Sequence, residues 1–432
     1  MYWEQSVQYG SRSDVGLRRQ NNQDVCVVQM SASREEWKQY GHLFMVADGM
    51  GGHAAGELAS KIAADTVPHT FFKSRDLQTG AALKEAIEAA NKVINKRGNE
   101  NPDFQRMGTT CTTIVFCSEG AVIGHVGDSR CYRVRNGQIH QLSFDHSLQW
   151  ELIRRGNMKP EDVFLKEPRH VITRSLGPEP EVQVDIEGPY PIMGGDKYLL
   201  CSDGLNGHLK DAEIGTIVNE LAPGDACRLL VNLANLRGGS DNVTVVVAEV
   251  SERSGNETLT DEPEPEEIKI AGKNNLFWII AAWILAIVLL AGICLTLLLE
   301  KKLPGAMMVA LSVLFAGALF FFWNRNRSID DPQRAGSDAT VLWKPYRTAK
   351  AKLTRKFLSH LAAVESELYR TVQEENWKVD TLKLDATYEQ AKQALAHDDH
   401  SGALKYFAKA IDILMVGMND YRKQMHHDAK WG

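Results

Sequence analysis

Four aspartates stand at strand ends, with glycines close by, and this pattern constrains the chain more than any other. Asp24 follows Arg19-Gln-Asn-Asn-Gln23 and opens an apolar run. Asp48 ends the run 42–47 and enters Gly49-Met50-Gly51-Gly52-His53. Asp203 ends the run 197–202 and enters Gly204. Asp241 follows Arg237-Gly-Gly-Ser240 and precedes Asn242-Val-Thr-Val-Val-Val247. One aspartate in such a place is ordinarily a turn residue. Four within one sheet system point to an ion, because glycine lets the backbone approach closely and expose its carbonyl oxygens. Carboxylates, carbonyls and waters form an all-oxygen shell that suits Mg²⁺ or Mn²⁺ and not Zn²⁺.

The surrounding sequence reads as antiparallel sheet packed with helices, an α+β class. Runs 24–30, 42–47, 109–117, 121–126, 197–201 and 242–250 are rich in Val, Ile, Phe and Cys and read as strands. Runs 131–134 and 138–142 flank Arg135-Asn136-Gly137, and Asn-Gly between two alternating runs signals a hairpin. Helical spacing predicts helices over 54–72, 80–97, 147–155, 211–221 and 225–236. Strands come in adjacent runs and helices in pairs, unlike a strict βαβ repeat. The 7 cysteines include no CxxC pair, which favours buried thiols in a reducing compartment. A net charge of -6 offers no basic surplus for nucleic acid. Residues 1–10 lack the basic flank and apolar run of a secretory signal, so a cytoplasmic N-terminal domain is expected.

Beyond residue 250 the character changes. Residues 251–274 are polar, acidic and proline-bearing, and read as a linker. Runs 276–299 and 303–323 carry no charge, and at about 1.5 Å per residue each is long enough for a bilayer core of about 30 Å. A two-helix transmembrane hairpin over 275–323 is therefore expected, in the inner (cytoplasmic) membrane, with both flanking domains in the cytoplasm. Residues 324–345 read as a second linker. Residues 346–432 read as a helical bundle, with a stripe of Leu353, Phe357, Leu361, Val364, Leu368 and Val372. Within it, 388–395 and 403–411 flank the turn 397–402 and resemble one tetratricopeptide-like hairpin.

Eight motifs in order carry a resemblance. They are Arg19-x-x-Asn22-Gln23-Asp24, Ala47-Asp48-Gly49-Met50-Gly51-Gly52-His53-x-x-Gly56-Glu57, Met107-Gly108-Thr109-Thr110, Gly127-Asp128-Ser129-Arg130-x-Tyr132, Asp145-His146-Ser147, Ile172-Thr173-Arg174-Ser175-Leu176-Gly177, Ser202-Asp203-Gly204-Leu205 and Gly239-Ser240-Asp241-Asn242-Val243-Thr244. Over residues 8–250 the chain resembles the metal-dependent protein phosphatases of the PPM, or type 2C, family in its bacterial style. The resemblance implies an α/β/β/α sandwich with a metal cluster at one end. It implies that Asp48 bridges two metals, that the Gly49 carbonyl completes one shell, that Asp203 and Asp241 hold the other ion and that Asp24 supports the cluster. Asp128, with Asp203, matches the third-metal site of bacterial members, and Arg19 matches the phosphate clamp.

Two positions depart from the family pattern. Gln23 stands where Glu is frequent, and Met50 stands where many eukaryotic members carry a histidine acid. His53 is the nearby candidate acid, with a structural role equally open. The expected activity is a membrane-anchored protein serine/threonine phosphatase. Two divalent ions would lower the pKa of a bridging water, and the resulting hydroxide would attack phosphoserine or phosphothreonine directly. Its substrates would be phosphoproteins, with a eukaryotic-like kinase or that kinase's targets as the family expectation. The alternatives are a catalytically inactive scaffold on the same fold and a signal-sensing membrane protein.

Overall fold

The computed structural model describes residues 7–52, 54–74, 77–154, 168, 171–251, 345–375 and 377–431. These form one compact unit. Two antiparallel sheets make its centre. The first runs in the order β1 (Val7–Asp14), β11 (Val243–Val250), β10 (Lys197–Cys201), β7 (Arg130–Arg135), β8 (Gln138–Gln141), β12 (Arg347–Lys350). The second runs β2 (Asp24–Gln29), β3 (His42–Met50), β5 (Cys111–Cys117), β6 (Gly120–Val126), β9 (Asp185–Tyr190), with β4 (Gly108–Thr109) paired to the end of β3.

The strands read as unbroken apolar runs because both of their faces are covered. Side chains alternate along a strand, so two interleaved sets point to opposite sides. Phe44 and Val46 of β3 meet Tyr198, Leu200, Val246 and Ala248 of the other sheet. There the ring of Phe116 lies 5.3 Å from Phe44 and 4.8 Å from Tyr198. Leu43, Met45 and Ala47 face the other way, onto α2 (Ala55–Phe71) and α3 (Thr79–Glu100). Leu199, Cys201, Val245 and Val247 likewise face outward, onto α6 (Asp211–Glu220) and α7 (Pro223–Leu236). The result is helices, sheet, sheet, helices. Smaller helices are α1 (Arg34–Tyr40), α4 (Leu148–Arg154) and α5 (Asp203–Asn206).

The hairpin at Asn136-Gly137 forms as expected, with both residues at positive φ, 51° and 66°. Its second strand, β8, would be a bare edge. β12 covers it, pairing Thr348 with His140, and the Tyr346 amide donates to the Gln141 carbonyl at 2.9 Å. Residues 347–350 are thus a strand where the sequence suggested only helix, since an open ladder edge outweighs local helical spacing. Behind it follow α8 (Arg355–Glu375), α9 (Thr381–Ala396) and α10 (His400–Trp431). α8 and α9 pack on α10, and α10 packs on α7. Asp412 ties this contact, accepting from Arg12 Nη1 at 3.3 Å and Asn232 Nδ2 at 3.1 Å.

The expected transmembrane hairpin requires correction. Among the described residues no helix is long and apolar enough to cross a membrane. The long helices bury one stripe and leave charged residues exposed, as α8 does with Leu358, Leu361, Leu368 and Val372 buried and Arg355, Lys356 and Glu367 outside. Such a face-divided helix fits a protein core and not hydrocarbon. The multi-pass membrane localisation inferred from the hairpin falls with it. Runs 276–299 and 303–323, and the linkers beside them except residues 251 and 345, lie outside the described residues.

Candidate metal centre

Strand register creates the site. β2 and β3 pair so that Asp24 lies directly across from Asp48. The Asp48 amide donates to Thr110 Oγ1 at 2.9 Å, and its carbonyl accepts from the Thr110 amide at 2.8 Å and from Thr109 Oγ1 at 2.9 Å. Thr110 Oγ1 also lies 2.8 Å from Ser129 Oγ, next to Asp128 in the turn from β6 to β7. Gly49 must be glycine, because a Cβ there would sit 2.1 Å from the Gly56 carbonyl oxygen at the start of α2.

The other sheet supplies the opposing acids. Asp203 opens α5 directly after β10, and Asp241 precedes β11. Gly204 lies so close to the Asn242 carbonyl that a Cβ would approach it to 2.0 Å. Ser202 Oγ spans the two sheets, donating to Asp24 Oδ2 at 2.7 Å and accepting from the Thr244 amide at 2.9 Å. Asn242 ties down the loop between β1 and β2 at three points: its Oδ1 accepts from the Gln23 amide at 2.8 Å, and its Nδ2 donates to the carbonyls of Val15 and Asn21 at 2.9 and 3.0 Å.

Electrostatics reports how closely the acids gather. Asp48 is pushed well above the usual carboxylate range, by burial first and then by Asp24, Asp203, Asp128 and Asp241. Asp24 is pushed up to about 7, chiefly by burial, against the hydrogen bonds from Ser202 and Thr244. Asp128 is raised well above the range by burial, then by Asp203 and Asp145. Oδ1 of Asp24 and Oδ1 of Asp128 are buried with no hydrogen-bond partner among the described residues. Buried, unpartnered and mutually repelling oxygens fit a divalent cation that prefers oxygen. As the side chains stand, among the described residues no three of His, Cys, Asp or Glu form a closed ion shell. The fit therefore rests on donor chemistry and charge.

These acids open into a cleft of about 520 Å³ lined by Arg19, Asp48, Gly49, Asp203, His208 and Asp241, among others. Arg19 Nη2 donates to Asp241 Oδ2 at 2.9 Å, so the expected phosphate clamp lies at the cleft, half exposed. His53 lies outside the described residues. Sequence reading assigned no role to His208, which faces Ser240 Oγ at 3.0 Å, nor to Ser202 and Asn242. The last two stood inside the quoted motifs, but their bracing role depends on contacts that spacing does not reveal.

Asp145, also inside a quoted motif, holds a different structure. Arg130 grips it with Nε at 2.9 and 3.0 Å and Nη2 at 2.6 Å, and Gln141 Nε2 adds a bond at 2.7 Å. Beside it His146 Nε2 meets Asp185 Oδ2 at 2.9 Å, and Arg174 Nη1 meets Asp185 Oδ1 at 2.7 Å. This buried scaffold underlies the Asp128 turn.

Comparison with known proteins agrees with this architecture. A protein phosphatase 2C family model matches residues 18–223. The chain is 36% identical over 245 residues to the serine/threonine protein phosphatase PstP of Mycobacterium tuberculosis, covering 56% of this chain and 45% of that one. It therefore spans less than half the length of the mycobacterial relative. It is 34% identical over 245 residues to protein phosphatase PhpP of Streptococcus pneumoniae, covering 56% of this chain and 96% of that one. The crystal structure of M. tuberculosis PstP/Ppp superposes with a TM-score of 0.50 at 35% identity, over 57% of this chain and 99% of that one. Stp1 from Staphylococcus aureus superposes with a TM-score of 0.51 at 31% identity, over 58% and 98%. With the streptococcal relative matched over nearly its whole length, and with two sheets converging their acids at one end, this chain belongs to the protein phosphatase 2C family.

Proposed function

We propose that the chain is a metal-dependent protein serine/threonine phosphatase. One observation carries this reading: carboxylates from both sheets press on Asp48 in a cleft that also holds an arginine. Asp48, Asp24, Asp203 and Asp241, with the Gly49 carbonyl, would hold two divalent ions, Mn²⁺ or Mg²⁺, and Asp128 with Asp203 a third. Bound there, such ions supply Lewis acidity that makes water a nucleophile near neutral pH and offsets charge on the phosphoryl oxygens. The chain's own residues do the rest. Arg19 exchanges Asp241 for phosphate oxygens, presenting paired donors that match them. Thr110, Ser202 and Asn242 keep the acidic loops fixed so that reaction requires little reorganisation. Among the described residues, the cysteines at hand offer no competing nucleophile, since burial pushes Cys111 and Cys201 both up to about 12. One relative is named a serine/threonine protein phosphatase and another a protein phosphatase, which supports phosphoserine and phosphothreonine proteins as substrates. A eukaryotic-like kinase or its targets follows from the family resemblance alone.

The test is release of phosphate from a phosphothreonine peptide by the full chain, before and after exhaustive chelation. Activity should vanish with chelator and return with Mn²⁺ or Mg²⁺. Undiminished turnover without metal would overturn the reading.

A further inference from the structure

A carboxylate occupies a core position of the C-terminal helices. α8 buries Leu358, Leu361, Glu365, Leu368 and Val372, the three-and-four spacing of a helix face packed on its neighbours. Glu365 is only 3% exposed, as well covered as the leucines around it. Burial, the first influence on it, pushes it up to about 7; the charges of Lys392 and Asp385 follow, with no side-chain hydrogen bond among the described residues. Set among leucines, a carboxylate with no hydrogen bond and only the charge of Lys392 to offset it is expensive, and an aliphatic residue would pack there at less cost. The family match ends at residue 223, so this position belongs to the chain's own C-terminal segment.

Glu365 is not enclosed by packing alone. It lines a cavity of about 240 Å³ between α8 and α9, together with Ser366 and Tyr369 from α8 and Leu384, Asp385 and Tyr388 from α9. The lining holds two acids and two phenol rings and no basic side chain. Lys392 stands nearby, but its Nζ is 2.9 Å from Glu389 Oε1 and 4.2 Å from the Tyr388 ring centre. That contact shows that this aromatic face accepts an ammonium group. The volume falls below the roughly 300–1,000 Å³ of cavities that take drug-sized ligands, so it suits the head of one side chain.

We propose that the cavity between α8 and α9 receives a single arginine or lysine side chain presented by a partner protein. The cation would meet Glu365 at the bottom and Asp385 at the exposed rim, with Tyr369 and Tyr388 flanking its stem. On helices that pack against α10, which in turn packs on α7, the site would hold a basic segment of a partner on the same compact unit as the metal centre.

The experiment follows the tyrosine ring signals of the full chain, labelled with ¹³C at tyrosine and assigned with Tyr369→Phe and Tyr388→Phe. The probes are N-acetyl-arginine methylamide, its neutral citrulline counterpart of the same shape, and free arginine. The capped arginine should shift the Tyr369 and Tyr388 signals and bind at least tenfold more tightly than citrulline. Glu365→Gln should remove that preference, and Asp385→Asn should reduce it severalfold, with hydrolysis of a phosphothreonine peptide unchanged in both. Equal binding of arginine and citrulline, absence of shifts at either tyrosine, or an unaltered preference in both variants would overturn the proposal. Free arginine binding tenfold tighter than the capped probe would also overturn it, by showing a small-molecule site. Should Glu365→Gln fail to fold, Asp385→Asn at the exposed rim decides alone.

Discussion

Arg422 of the last helix donates from Nη2 to the carbonyl oxygen of Leu17 at 3.0 Å. The amides of Leu17 and Arg18 in turn donate to the Gly239 carbonyl at 2.8 and 3.2 Å. Gly239 adopts φ +48°, and a Cβ there would meet Leu17 Cγ at 2.7 Å, so the two loops are pressed together. One residue beyond Arg18 comes Arg19, and two beyond Gly239 comes Asp241, the pair at the cleft. A hydrogen bond of this kind is worth about 0.5–1.5 kcal/mol. Arg422→Gln should therefore raise KM for a phosphothreonine peptide about three- to tenfold, while kcat changes by less than about twofold. Arg422→Lys, whose ammonium reaches further than the shorter glutamine amide, should restore most of the loss. An unchanged KM in the glutamine variant would mean the loops hold without α10.

Asp48→Asn and Asp241→Asn keep shape and remove a charge. Apparent metal affinity and turnover should both fall, turnover by about two orders of magnitude or more. The metal-free Asp48→Asn protein should, in contrast, be more stable, since the change removes the burial and repulsion that push Asp48 up. Metal titrations of activity, with urea unfolding in chelator, separate the two effects. Wild-type turnover at saturating metal would remove these residues from the ligand set.

Asp145→Ala should cost up to about 3–5 kcal/mol, because it strips the buried Arg130 guanidinium of its two-oxygen partner and leaves it the more distant Asp211 at 3.6 Å and the Tyr132 hydroxyl at 2.9 Å. Side-chain exposures of 9% and 5% leave the pair little access to water. Denaturant melts at fixed metal concentration check this. A loss under about 1 kcal/mol would show that water reaches Arg130 readily.

His125 makes acid stability testable. It is fully buried, with Nε2 2.8 Å from the Phe144 carbonyl and Nδ1 2.9 Å from Thr112 Oγ1, an arrangement satisfied by the neutral ring. Burial, reinforced by His146, holds it down to about 3. Between about pH 6.5 and 3 the unfolded chain binds a proton there that the folded chain refuses. Stability is therefore present above about pH 6.5 and lost as pH falls toward 3, at up to about 1.4 kcal/mol per pH unit from this group. In His125→Gln the slope of stability against pH over that window should drop by close to one proton. An identical slope would place the acid sensitivity elsewhere.

What the sequence determined by itself was local. The Asn136-Gly137 turn, the strands flanking Asp48 and Asp203, and the helical stripe of α8 follow from preferences of neighbouring residues. The oxygen-rich character of the site was legible for the same reason, since each Asp stands at a strand end, with a glycine directly after Asp48 and Asp203. Tertiary structure decided what lies opposite what. Asp24 faces Asp48 through a register set by the pleat, because a slip of one residue would turn every core side chain of β2 outward. Asn242, Ser202 and Arg422 act across separations of 219, 178 and 405 residues. The strand at β12 exists because β8 offers an unpaired ladder, which no local propensity encodes. The membrane hairpin is overturned by the described helices, none of which is long and apolar enough to cross a membrane, because the long ones bury one side on their neighbours and leave the other charged.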